Sequence, residues 1–183
     1  FPTVAPVAPR HRLTIHSIDP DPRAAAVATG ALDLGLGDVA GVSIADIVFI
    51  DGDLRSEDLD RLHSVLVDPL LQQGNWDSPA ADGIEITLQP GVTDSAADAV
   101  RHAAMRLGLD IDAAATGTRL QFPESVDPEL ADVVVARLVA NPIIERWTHG
   151  CIEPSHPGGE SAAGAATTIV IRGADDERLA EIN

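Results

Sequence analysis

The sequence predicts an α+β protein made of two tandem β-α-β-β-α-β repeats packed as a pseudo-dimer, followed by a C-terminal linker segment. Three observations carry that reading. The chain of 183 residues matches itself at an offset of 73, without a gap from Leu13 to Leu71. Thr14 falls on Thr87, Asp21 on Asp94, Val27 on Val100, Leu34-Gly35-Leu36 on Leu107-Gly108-Leu109, Phe49 on Phe122 and Pro69 on Pro142. Secondly, each copy alternates strand-like and helix-like apolar periods in the same order. Thirdly, the period is too long for a solenoid repeat and suits a small α+β unit. A unit of this size struggles to bury enough apolar surface alone, so the two copies are expected to pack as a pseudo-twofold pair.

The elements follow in order. Residues 1–12 form a Pro-punctuated leader, expected to be mobile. The first repeat spans residues 13–76. Leu13 to Ile18 reads as a strand, and Asp19-Pro-Asp-Pro sets up a helix N-terminus near Asp21. Val27, Ala31 and Leu34 give one apolar stripe that Gly35 stops. Val39 to Ile50 reads as two strands with a turn at Ala45-Asp46. Ser56 is read as the cap of a second helix with Leu59, Leu62, Val65 and Leu66 inside, and Pro69 releases a last strand.

The second repeat spans residues 84–149. Ile84, Ile86 and Leu88 alternate with Glu85, Thr87 and Gln89, the period of a half-buried strand. Pro90-Gly91 turns the chain, and Asp94 or Ser95 caps a helix with Val100, Ala103, Ala104 and Leu107 inside. Thr116-Gly117 is read as a hairpin turn before Arg119 to Phe122. Asp127-Pro128-Glu129 starts a helix with Leu130, Val134, Val135 and Leu138 inside. Ile143 to Trp147 closes the unit. Residues 150–166 are Gly/Ala/Ser/Pro-rich and read as a flexible linker. Residues 167–183 read as the start of a following linker region, with a strand at Thr167 to Arg172 and a helix from Asp175 to Ile182. Both ends read as cut from a longer chain.

Composition excludes several functions. The net charge is −17, and the twelve basic residues are all arginines, scattered singly or in loose pairs, which argues against nucleic acid and an anionic membrane surface. One Cys rules out an intramolecular disulfide and is compatible with a cytoplasmic location. No apolar run approaches the ~20 residues of a bilayer span.

Chemistry is sparse. There is no Gly-rich phosphate loop, and Gly35-Leu-Gly37 lies at a helix C-terminus, the wrong end for an anion. His149, Cys151 and His156 lie within eight residues, but zinc needs converging ligands, and their surroundings read as a solvated loop. Cys151 with His149 or His156 as base lacks a rigid framework and is read as a free thiol. The pairs Asp51/Asp53 and Asp110/Asp112 are read as solvated turn carboxylates. His16 and His102 have no sequence partner, and Arg119 and Arg137 are read as salt-bridged surface positions. No catalytic, cofactor-binding or metal residue is assigned.

The second repeat nevertheless resembles a known family. The stretch "ITLQPGVTDSAADAVRHAAMRLGL", then "RLQF", then "LVANPIIERW" is similar to the PurS family, the small accessory subunit of phosphoribosylformylglycinamidine synthase. Pro90, Gly91, Val92, Asp94, Leu107, Gly108, Ala140, Asn141, Pro142, Ile144 and Glu145 match the family pattern, while Gln89 stands where the family has lysine. The first repeat keeps Asp21, Gly35, Phe49, Asp68 and Pro69, but Ile18-Asp19 replaces the Pro-Gly turn. The resemblance covers roughly residues 13–149.

Tandem copies resemble the N-terminal region of the long, fused form of this synthase, an ATP-dependent C–N ligase with glutamine as amido donor. It makes formylglycinamidine ribonucleotide from formylglycinamide ribonucleotide in de novo purine biosynthesis. The tail "DDERLAEIN" is similar to the start of the linker region that follows there. The resemblance implies a non-catalytic assembly region, with the synthetase and glutaminase domains as partners. It would hold them together and help shape an ammonia passage. ATP and magnesium are implied for the full enzyme, not for this fragment, and no family catalytic residue maps here. A second reading is a tandem ACT-like module binding a free amino acid, which shares the split topology and the Pro-Gly turn. "ANPIIE" favours the PurS family, and the first copy's missing turn weakens the ACT-like reading.

Overall fold

Asp21 and Asp94 show how closely the two halves agree. Each carboxylate caps a helix, Asp21 accepting from the Arg23 amide and Asp94 from the Ala97 amide. Both helices run twelve residues, α1 over Pro22–Asp33 and α3 over Ser95–Arg106. Both end on a left-handed glycine, Gly35 at φ 64° and Gly108 at φ 69°, which an L side chain would strain. Asp94 does more than Asp21: it is buried and also accepts from the Thr116 amide at 2.7 Å and from its hydroxyl. Asp94→Ala is therefore expected to cost about 2 kcal/mol and Asp21→Ala about 1 kcal/mol, since a lost cap costs ~0.5–2 kcal/mol. Paired urea midpoints at unchanged slope would check this, and equal losses would remove the special role of Thr116.

The computed structural model describes residues 10–76 and 82–155. Residues 1–9, 77–81 and 156–183 lie outside the described residues, and with them most of the leader, most of the expected linker at 150–166, the expected strand at 167–172 and the expected helix at 175–182. Where described, Arg10 to Arg12 belong to the first strand rather than a mobile leader, and Ile152 is buried rather than part of a flexible linker. The remaining elements are β1 (Arg10–Ser17), β2 (Ser43–Asp51), α2 (Ser56–Leu66), β3 (Gln72–Trp76), β4 (Ile84–Leu88), β5 (Ala113–Gln121), α4 (Pro128–Val134) and β6 (Glu145–His149). A π-helical turn, Val135–Val139, extends α4. The fold is α+β, as predicted. One antiparallel six-stranded sheet runs β3-β1-β2-β5-β4-β6, so β2 and β5 join the two halves.

The expected β-α-β-β-α-β unit is corrected to β-α-β-α-β. Ala45-Asp46 and Thr116-Gly117 are not turns but lie inside nine-residue strands, β2 and β5, paired from Ser43↔Gln121 to Asp51↔Ala113. The reason lies in burial. Ile44, Val48 and Ile50 point to the helices while Ala45, Ile47 and Phe49 are buried on the other face, so β2 reads as a continuous apolar run. The 73-residue register also breaks here. The central strands are 70 residues apart, so Phe49 corresponds to Arg119 rather than Phe122.

The four helices among the described residues cover one face. Val27 and Ala31 of α1 pack with Ile44, Ile84, Ile86, Leu120 and Ala131, Val134 and Val135 of the other half. Leu62 of α2 packs with Leu13, Ile15, Val48 and Ile50 and with Ala97, Val100 and Ala104 of α3. Each core therefore draws on both halves, α1 beside α4 and α2 beside α3. Several helix details differ from expectation, and Leu34, expected on the apolar stripe of α1, is exposed. Arg55, not Ser56, is the cap residue of α2, with Asp58 accepting from its amide. Val65 is 55% exposed because it faces a groove between α2 and α3 rather than the sheet. In α4, Ala131 joins Val134 and Val135 inside, while Leu130 and Leu138 are half-buried.

Candidate functional site

Three features distinguish the surface and the interior, and the first lies on the sheet face opposite the described helices. Arg12 of β1 reaches across the central strands to Glu85 of β4 with two hydrogen bonds, Nη1 to Oε2 at 3.0 Å and Nη2 to Oε1 at 2.5 Å. Arg119 adds Nη1 to Oε1 at 2.6 Å, and the Ile152 amide donates to Oε2 at 2.8 Å. Arg12 also lies 5.7 Å from the Phe49 ring centroid. Glu85 is fully buried and Arg12 and Arg119 nearly so. Ile152 caps this network and packs on Ile47, Phe49 and Ala115. Arg12 and Glu85 are 73 residues apart, so matching positions of the two halves carry opposite charges and meet.

The second feature is a cleft of about 380 Å³ on the helix face, where the helix pairs part above the central strands. Asp46, Thr116 and Thr118 form its polar floor, with Ile86, Leu88 and Val100 among its walls. Beside it Arg23 bridges Asp21 and Asp46.

The third feature is a pair of matched turns before the edge strands. Asp68 accepts from the Leu70 amide at 2.8 Å, and its own amide donates to Gln72 Oε1 at 3.0 Å. Asn141 accepts from the Ile143 amide at 3.1 Å, and its amide donates to Glu145 Oε2 at 2.6 Å. Side chains thus close both turns, and a proline follows each Asx residue. Leu70 and Ile143 are each 83% exposed at the two tips. The strand directions place these tips at opposite corners of the sheet.

Other residues singled out by sequence fall elsewhere. Asp51 and Asp112 meet at one sheet end, where the Asp112 amide donates to the Asp51 carbonyl. Asp53 and Asp110 are exposed beside them, and Arg10 binds the Asp51 carboxylate. His149 pairs with Asp132 at 3.0 Å, Cys151 is exposed, and His156 is outside the described residues. His16, His102 and Arg137 are exposed. Arg119 corrects the surface reading, because it is buried against Glu85. The reading of β4 as half-buried missed Glu85, and Arg12 was not singled out. The available signal was opposite charge at equivalent repeat positions within strands. Among the described residues, no group of three or more His, Cys, Asp or Glu side chains gathers at one point. The three features organise packing and display aliphatic side chains, which suits contact with other protein surfaces.

No curated protein matches the chain. Residues 83–153 match the family model described as PurS, phosphoribosylformylglycinamidine (FGAM) synthase. This stretch carries β4, α3, β5, α4 and β6, the Asn141 tip and Ile152 over the buried ion network, and it is a PurS-like region.

Proposed function

We propose that this chain is a non-catalytic assembly region of phosphoribosylformylglycinamidine synthase in de novo purine biosynthesis. The observation that carries the proposal is the family match over residues 83–153, set within one sheet and two cores that both halves build. In this reading the first half supplies the second PurS-like unit, and the pair is a pseudo-dimer made covalent. A tether removes the concentration-dependent cost of pairing and fixes the geometry offered to other domains. The synthetase and glutaminase parts of the enzyme are the partners, and the region helps shape the passage for ammonia. The aliphatic tips at Leu70 and Ile143 supply apolar contact points at opposite corners. ATP and magnesium act in the other domains, and the setting is cytoplasmic.

Reconstitution tests this. Glutamine-dependent amidation by the remainder of the enzyme is expected to fall sharply without residues 13–149 and to recover when this chain is added. Full coupled activity without them would refute the assembly role. ATP hydrolysis or ammonia release from glutamine by the chain alone would refute the non-catalytic assignment.

A further inference from the structure

The groove between α2 and α3 is a wide apolar feature of the described surface and carries an inference of its own. It has a volume of about 760 Å³ and is lined by Val65, Ala103, Met105 and Leu107, with His102 and Arg106 at its edge. Met105 is 66% and Val65 55% exposed. No carboxylate lines it, although the chain carries a charge of −17. The side chains of His102 and Arg106 make no hydrogen bond or ion pair among the described residues, whereas Arg61 and Arg101 on the two flanking helices are each held by a carboxylate of their own helix, Asp58 and Asp98. Basic edges around an apolar trough fit an occupant that is apolar on one side and acidic around it.

The chain itself contains such a segment. Asp175 to Ile182 reads Asp-Asp-Glu-Arg-Leu-Ala-Glu-Ile. On a helix, Leu179 and Ile182 share a face, and Asp175 lies one turn before Leu179 on that face. Four of its eight residues are acidic and one is basic. It follows the last described residue, Ser155, by twenty residues, a tether that raises its effective concentration at the groove.

We propose that residues 175–182 dock as an amphipathic helix in the α2–α3 groove, with Leu179 and Ile182 on Met105 and Val65, and Asp175 beside Arg106. Docking would set where the chain leaves this region, independently of the assembly role.

Met105 is the only methionine, so its ε-methyl group is a single reporter. The test compares its NMR resonance and its peroxide oxidation rate in the full chain and in full-chain variants. Leu179→Asp with Ile182→Asp is expected to shift the resonance and to speed oxidation about tenfold, as a ~1.4 kcal/mol loss of docking gives. Arg106→Glu is expected to speed oxidation severalfold, and adding Asp175→Arg to restore the wild-type rate. Arg106 is exposed in the last helical turn, so folding is not at risk. An unchanged Met105 signal in the Leu179/Ile182 variant overturns the proposal. So does a wild-type signal that depends on protein concentration, which would assign the groove to a second copy.

Discussion

Replacing Glu85 by alanine is expected to cost about 4 kcal/mol, a large fraction of the ~5–15 kcal/mol that holds a domain together. Glu85 is completely buried and is the carboxylate that Arg12 and Arg119 share. Its removal leaves two guanidiniums on the covered face without it, and it frees the Ile152 amide. Removing one member of a buried ion cluster costs far more than the cluster contributes over an apolar replacement. Converting Arg12→Met, Glu85→Leu and Arg119→Met together is accordingly expected to cost little. Urea midpoints decide the matter: Glu85→Ala should fall steeply and the triple variant should stay near wild type. A Glu85→Ala midpoint equal to wild type would mean that the network does not hold the halves together.

The same carboxyl gives the network a pH signature. Burial pushes it towards the neutral form, but the Arg12 hydrogen bond, the Ile152 amide, the Arg12 charge and the Arg119 hydrogen bond outweigh that and hold it below its ordinary 4.5. A carboxyl lowered in the folded state stabilises fully above its unfolded value. That contribution is lost as pH falls from about 4.5 through the folded value. Stability of the wild type should therefore drop more steeply than that of Glu85→Ala below about pH 4.5.

The local signals in the sequence were faithful except at α2, whose cap residue is Arg55 rather than Ser56. Asp21, Asp94 and Asp127 each cap the helix they precede, and Gly35 and Gly108 each end one. These depend on a few neighbouring residues, where backbone chemistry decides. What failed depends on the opposite half. Thr116-Gly117 looks like a turn because glycine commonly supplies positive φ, yet Gly117 is not among the positive-φ glycines. Ala45-Asp46 looked like a break because a polar residue interrupts an apolar run, but Asp46 emerges beside Arg23 at the cleft floor. Glu85 looked exposed because strand alternation puts charges in water. It is buried because Arg12, in the other half, comes to meet it. The candidate site was legible only as far as the Asn141 motif, since the buried network depends on pairing that spans 73 residues.

Gly117 should be nearly as sensitive as Glu85, for a different reason. A Cβ built there would lie 2.6 Å from the Ile86 carbonyl oxygen, 3.0 Å from Thr87 Cγ2 and 3.6 Å from the Phe49 ring. The first contact is backbone, so relief requires β4 to move away from β5 where their pairing ends at Thr87↔Gly117. Gly117→Ala is expected to cost about 3 kcal/mol, the upper range for overpacking, and Gly117→Val to prevent folding. A second explanation is available, because Ile47 sits directly opposite in β2. The two are separated by a double-mutant cycle. If the clash is with the Ile86 backbone, Ile47→Ala adds its own cavity cost and rescues nothing. If Ile47 is the obstacle, the double variant recovers stability relative to Gly117→Ala alone. We expect no rescue, because the shortest contact belongs to a carbonyl that no side-chain substitution can remove.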